Sequence, residues 1–279
     1  MPDGLTEVQK NLLDSWLGEF STVHDHSWPL QDTTVLHIRT STGEDFIVKA
    51  SVTSHHIRRE ITAHARGFTG LYGRVPVLVH ASTEAKLLVT EFLPGSLVEG
   101  TTAEGAPETY RQAGALLGRI HKPAGVSRDY ATALAIKTQS AVDRAQGLVP
   151  EDWRVRLAAE LEALNPGPVQ LATTHGDYQP RNWLQEDGTI KVIDFGRADA
   201  RPWVHDLVRL THQQFVERPD LEDAFYAGLG MKVEAPDEDI WRLENLNQAI
   251  STVVWGHQIG DAAFERSGVG MVERVLSGL

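Results

Sequence analysis

The chain has 279 residues, with 26 Lys+Arg against 38 Asp+Glu for a formal net charge of −12, 41% hydrophobic residues and no cysteine. That length supports one large or two small domains with real cores, and near-average hydrophobic and charged fractions exclude disordered, collagen-like and coiled-coil chains. The lack of cysteine excludes a disulfide framework, thiolate catalysis and Cys-ligated zinc, while the acidity and the absence of a Lys/Arg cluster count against a nucleic-acid binder. Met1 to Glu7 carries no basic, apolar leader, and no later apolar run approaches the roughly 18 residues that span a bilayer. The expectation is a cytoplasmic protein, monomer or homodimer, with no membrane or nucleic-acid partner.

Leu5, Val8, Leu12, Trp16 and Phe20 recur at helical spacing and predict an amphipathic opening helix. Thr34 to Arg39 and Asp45 to Ala50 are β-branched runs joined by Ser41-Thr42-Gly43-Glu44, which predicts a hairpin with Lys49 on its second strand. Ser54 is a candidate cap for a helix with Ile57, Ile61, Ala65 and Phe68 on its apolar stripe and Glu60 at the stripe's edge. Val75 to Ala81 and Lys86 to Phe92 predict a second hairpin, and Leu93-Pro94-Gly95-Ser96 a turn-rich break. The domain boundary is therefore placed there: residues 1–92 form a small β-rich lobe and residues 93–279 a larger, mostly helical one. In the latter, helices are expected around Tyr110 to Ile120, Leu134 to Gln146 and Trp153 to Leu164, and again from near Trp203. A strand at Val169 to Thr174 and a hairpin of Trp183-Leu184-Gln185 with Ile190 to Ile193, turning at Asp187-Gly188, interrupt them.

The chemistry concentrates in His175-Gly176-Asp177-Tyr178-Gln179-Pro180-Arg181-Asn182 and, after the predicted hairpin, Ile193-Asp194-Phe195-Gly196. A short hairpin brings the residues at its start and end side by side, so Asn182 and Asp194 can share one cation. Oxygen ligands of this kind suit Mg²⁺, which takes one or two carboxylates and completes its shell with phosphate oxygens and water. Asp177 then faces a transferable phosphoryl group from the other side.

The pattern His-Gly-Asp-x-x-x-x-Asn followed by Ile-Asp-Phe-Gly resembles the aminoglycoside phosphotransferase family of antibiotic and small-metabolite kinases. Lys49, closing Phe46-Ile47-Val48-Lys49, and Glu60 on the next helix are similar to the family's lysine–glutamate pair, and Leu87 to Gly95 resembles its link between lobes. The resemblance, running from about Lys49 to Asp206, implies an α+β, two-lobed, protein-kinase-like fold. It implies Mg²⁺ and ATP, with GTP possible, and γ-phosphoryl transfer to a hydroxyl. Lys49 would hold the α- and β-phosphates, Glu60 would orient it, Thr90 would back the nucleotide pocket, and backbone groups of Glu91 and Leu93 would pair with the purine. Asp177 would accept the hydroxyl proton, Asn182 and Asp194 would hold the metal, His175 would brace the catalytic loop, and Asp206 would anchor it.

In two places the sequence departs from that pattern. Ser27 to Thr34, where a glycine-rich nucleotide loop belongs, contains no glycine, leaving the hydroxyls of Thr33 and Thr34 as candidate donors, and the interval from Lys49 to Glu60 is short. The acceptor is expected at the helical lobe, with Asp199, Arg201, Trp203, Glu244, Gln248, Trp255 and Asp261 as candidate walls. An antibiotic, either an aminoglycoside or a sugar-bearing nucleoside, is ranked above a metabolite such as a sugar, choline or homoserine. A pseudokinase is disfavoured because Lys49, Asp177 and Asp194 are all present. His56, Glu60 and His64 share one helix face at i, i+4 and i+8, a conceivable metal set set aside because Glu60 is claimed by Lys49. His121 is read as a helix-end packing residue. No Gly-x-x-x-x-Gly-Lys-Ser/Thr, Gly-x-Gly-x-x-Gly or Gly-x-Ser-x-Gly motif occurs.

Overall fold

A computed structural model describes residues 4–28, 32–53, 55–234 and 237–278. The chain groups into two compact units, one of residues 1–120 and 175–199, the other of residues 121–174 and 200–279.

The first unit opens with helix α1 (Glu7–Leu17), fixed at its start by reciprocal bonds between Thr6 and Gln9. The expected helix ran on to Phe20, but Gly18 adopts φ 67° and ends it, and Phe20 instead begins strand β1 (Phe20–Asp25). Val8, assigned to the buried stripe, is exposed; Leu5 and Leu13 do the packing. They cover one face of a five-stranded sheet of order β1-β2-β3-β5-β4, with β2 (Thr33–Thr40), β3 (Asp45–Ser51), β4 (Leu78–Ser82) and β5 (Leu87–Glu91). All its pairings are antiparallel. Because side chains alternate across a strand, Phe46, Val48 and Ala50 enter the α1 core, and Ile47 and Lys49 face the other way. Helix α2 (His56–Arg66) follows β3 and buries Ile57 and Glu60. The proposed cap Ser54, residues 29–31 of the glycine-free loop and Met1 to Asp3 lie outside the described residues.

A second, three-stranded sheet of this unit has the order β10-β9-β6, from β6 (Ser96–Leu97), β9 (Trp183–Glu186) and β10 (Thr189–Val192). The β9–β10 hairpin turns at Asp187 (φ 47°) and Gly188 (φ 74°), the positive-φ pair a tight hairpin needs. Helix α3 (Pro107–Ile120) packs beside it, and its Ala113 carbonyl accepts the buried Tyr178 hydroxyl at 2.7 Å. This fixes the chain just after Asp177.

The second unit pairs β7 (Pro123–Ser127) with β8 (Val169–Thr174), and β11 (Asp199–Arg201) flanks β8. Its helices are α4 (Tyr130–Arg144), α5 (Glu151–Ala163), α6 (Val208–His212), α7 (Pro219–Leu229), α8 (Glu238–Ile259) and α9 (Ala262–Leu276). One core joins α4, α5, α8 and α9 through residues such as Leu157, Ile250 and Val272. A second lies around Leu161, Val204 and Leu243, with Trp203 and Trp241 at its margin. No helix among the described residues is long and apolar enough to cross a membrane.

Candidate active site

Lys49 is the hub of the first unit's polar centre. The β3 pleat that sends Val48 into the core sends Lys49 to the opposite face, where its Nζ donates to both Glu60 oxygens and to Asp194 Oδ1, each at 2.9 Å. Despite the short interval from Lys49, α2 reaches the pair; Glu60 is buried, not at an edge. Burial alone would lower the Lys49 pKa, but the charges of Asp194 and Glu60 outweigh it and hold the ammonium above its ordinary range. Burial pushes the Glu60 carboxyl up against the pull of Lys49, while Lys49 holds Asp194 well below the usual carboxylate range.

Asp194 occupies the left-handed region at φ 66° and ψ 70°, uncommon for a residue with a side chain and characteristic of functional sites. The turn after it is latched to α2. His56 Nδ1 donates to the Gly196 carbonyl at 2.8 Å, Arg59 pairs with Asp199 at 3.2 Å, and Phe195 packs against His64 and Phe68. A Cβ on Gly196 would stand 3.3 Å from Asp194 Oδ1 and 3.4 Å from His56 Cβ, so glycine lets this turn lie close to the helix. Burial, and then the Lys49 charge, depress the His64 pKa to about 4. Among the described residues no group of three or more His, Asp or Glu is placed to hold a metal ion, so His56, Glu60 and His64 do not form one.

The loop bearing Asp177 is braced from within. His175 Nε2 donates to the Ile193 carbonyl at 2.9 Å, and its Nδ1 accepts the Asp177 amide at 3.3 Å, so the ring ties the two segments together through both nitrogens. Asn182 Nδ2 donates to the Asp177 carbonyl at 2.7 Å, leaving its amide oxygen as the side chain's acceptor, and the Ile193 amide donates to the Asn182 carbonyl at 3.0 Å. Asn182 and Asp194 are thus tied through adjacent backbone, and both offer hard oxygen donors, the chemistry that suits Mg²⁺. Asp177 is buried; Oδ1 accepts from Gln179 Nε2 at 2.5 Å and Oδ2 from Arg181 Nη2 at 2.7 Å, with Arg197 Nε 3.8 Å away. Sequence reasoning missed both arginines, because no element was assigned to residues 177–182 that would bring position 181 back over 177.

Thr90 is buried on β5, opposite Ile47 of β3. Glu91 is exposed with its amide bonded to the Val77 carbonyl at 2.9 Å, and Leu93 is half-buried. Of the candidate acceptor walls, Asp199 belongs to the first unit, beside Arg59. The others lie in the second unit and serve several ends there. Glu244 is buried and accepts Tyr130 Oη at 2.6 Å and His205 Nδ1 at 2.9 Å. Burial would raise its pKa, yet His205, Tyr130 and Arg201 together bring it below the ordinary value. Arg201 donates to Thr174 Oγ1 at 3.3 Å, Trp203 Nε1 to Asp237 at 3.1 Å, and Gln248 to Thr252 Oγ1 at 2.9 Å. Trp255 is exposed, and Asp261 caps α9 by accepting the amides of Ala263 and Phe264. Arg201 thus bears on Glu244 through its charge, while Asp261 is committed to its helix cap. His121, read as packing, forms a buried 2.9 Å pair with Asp206.

Similar folds are known. A thermostable mutant of aminoglycoside phosphotransferase APH(4)-Ia, in ternary complex with ADP and hygromycin B, aligns over 98% of each chain at 14% identity and a TM-score of 0.66. Macrolide 2'-phosphotransferase MphH from Brachybacterium faecium aligns over 95% of this chain and 97% of its own, at 17% identity and 0.64. A putative fructosamine-3-kinase from Thermobifida fusca YX-ER1 aligns over 98% and 99%, at 15% and 0.66. No curated protein matches by sequence. The α+β, protein-kinase-like architecture is common to these structures, and residues 31–242 match the model of the phosphotransferase enzyme family, to which this chain therefore belongs.

Proposed function

We propose that this protein transfers the γ-phosphoryl group of ATP, or of GTP, to a hydroxyl of a small molecule with the help of Mg²⁺. The observation that carries the reading is Lys49 bridging Glu60 and Asp194 in the same compact unit as the Asp177 loop. In this reading residues 1–92 form the nucleotide-holding lobe and residues 93–279 the acceptor-binding one. Glu60 holds the Lys49 ammonium in place for the α- and β-phosphates. Thr90 backs the nucleotide pocket, and the backbone of Glu91 and Leu93 meets the purine. Asp177 orients the acceptor hydroxyl and takes its proton, and the Asn182 amide oxygen and the Asp194 carboxylate are the metal's protein ligands. Bound Mg²⁺ supplies charge neutralisation on the phosphates.

For the acceptor we favour an antibiotic, an aminoglycoside or a sugar-bearing nucleoside, so that phosphorylation confers resistance. The folds solved as aminoglycoside and macrolide phosphotransferases support this choice. The fructosamine-kinase neighbour supports a second reading, phosphorylation of a sugar-type metabolite. Arg201, Glu244 and Trp203 are the favoured acceptor walls, and the setting is cytoplasmic. The test is incubation with Mg-ATP and Mg-GTP across a panel of aminoglycosides, macrolides, nucleoside antibiotics and hydroxylated metabolites, read by product mass. A protein that binds nucleotide and phosphorylates nothing in the panel, nor hydrolyses ATP, is a pseudokinase and refutes the proposal.

A further inference from the structure

Asp177 carries more donors than a residue that merely awaits a hydroxyl would need. Arg181 reaches back four residues to place Nη2 2.7 Å from Oδ2, and Gln179 occupies Oδ1. The backbone that carries Arg181 is held by the local fold. Pro180 to Asn182 form a single 3₁₀ turn, closed by the Asn182 amide donating to the Gln179 carbonyl at 2.9 Å, while the Asn182 side chain ties back to the Asp177 carbonyl. Residue 181 thereby projects over residue 177. The Arg181 side chain is 36% exposed and Asp177 only 5%, so the pair is an ionic clamp at the mouth of a buried carboxylate.

We infer that Arg181 is a positioning residue for phosphoryl transfer. It locks the Asp177 carboxylate plane between itself and Gln179, so that the carboxylate meets the acceptor hydroxyl in one fixed orientation. The inference deepens the proposed function and rests on it. Charge-assisted bonds from an arginine fork fix orientation as well as distance, which a lysine does less well. Arg197, at 3.8 Å through Nε, is a looser neighbour and the natural comparison.

Water is an acceptor that needs no identification, so the test reads phosphate release from saturating Mg-ATP, together with transfer to any hydroxyl compound the panel yields. Affinity for Mg-ADP is titrated in parallel. Arg181→Met is expected to lower turnover about 10–100-fold, the usual cost of losing a group that orients an active-site ligand, with the Mg-ADP dissociation constant and nucleotide KM unchanged. Arg181→Lys should recover part of the loss, and Arg197→Met should cost less than Arg181→Met. In an Asp177→Asn background Arg181→Met should cost nothing further, because the group it positions is already disabled. Wild-type turnover in Arg181→Met, or its full effect persisting in Asp177→Asn, overturns this inference alone. Wild-type protein that binds Mg-ATP and transfers to neither water nor any panel compound overturns the proposed function, and this inference with it.

Discussion

Replacing Lys49 by methionine should destabilise the first unit strongly, and more so at alkaline pH. The Glu60 side chain is 4% exposed and both its oxygens lie 2.9 Å from Nζ, so removing the ammonium strips two charge-assisted bonds from a carboxylate that water cannot reach. At an effective dielectric constant of about 20, the attraction lost over that distance is about 5–6 kcal/mol. Measured losses on breaking buried pairs run at roughly 3–5 kcal/mol, and methionine keeps the aliphatic packing, so about 3–5 kcal/mol is expected. Asp194, half exposed, regains water and adds little. In the variant the folded-state pKa of Glu60 stands further above its unfolded value, so folded protein holds the proton more tightly. Stability is therefore retained at acid pH and lost as pH rises through that raised value, making the deficit larger at pH 8 than at pH 5.5. Native-state hydrogen exchange of β3 and α2 amides reads this opening directly. The double variant Lys49→Met/Glu60→Leu should recover most of the loss. A Lys49→Met cost below about 1 kcal/mol at pH 8, or a double variant as unstable as the single losses added together, would refute the buried-pair argument.

Asp177→Asn should lower kcat by about 10²–10⁴ while leaving nucleotide affinity in place, checked by steady-state transfer and separate nucleotide titration. Asp194→Ala and exhaustive chelation of divalent cations should each abolish transfer, with Asn182→Ala milder; transfer that survives chelation argues against metal assistance. Burial lowers the pKa of half-buried His64 and of buried His212 to about 4 in the folded chain against 6.5 when free, so the unfolded chain binds more protons between those values. Stability should thus be level above about pH 6.5 and fall by on the order of 2–3 kcal/mol per histidine as pH drops toward 4, and His64→Leu should reduce that slope in urea denaturation.

Where side chains alternate and a turn has its own chemistry, the fold is legible from sequence: the β2–β3 and β9–β10 hairpins follow from β-branched runs around Gly43 and Asp187-Gly188. Strand β1 is not, because it lies at the sheet edge with five of its six residues exposed and so carries no alternating pattern. Helical spacing then carried Phe20 onto α1, past a Gly18 whose positive φ stops the helix. The juxtaposition of Lys49, Glu60 and Asp194 is readable only through the resemblance, since nothing local links positions so far apart. The His121–Asp206 pair and the approach of Arg197 to Asp177 stay hidden for the same reason, while Arg181 stays hidden because the local 3₁₀ turn that returns it to Asp177 carries no sequence pattern of its own.

Helix α2 and the turn after Asp194 share an ion pair, an imidazole-to-carbonyl bond and a small aromatic cluster. Three different interactions across one seam make the two segments a single mechanical part. A ligand wedging Phe195 out of its seat between His64 and Phe68 would therefore pull on Glu60 as well, and the grip on Lys49 would slacken without any contact to the lysine itself. What disturbs this aromatic seat is therefore felt at the Lys49–Glu60 pair as well, although neither residue takes part in the ring contacts.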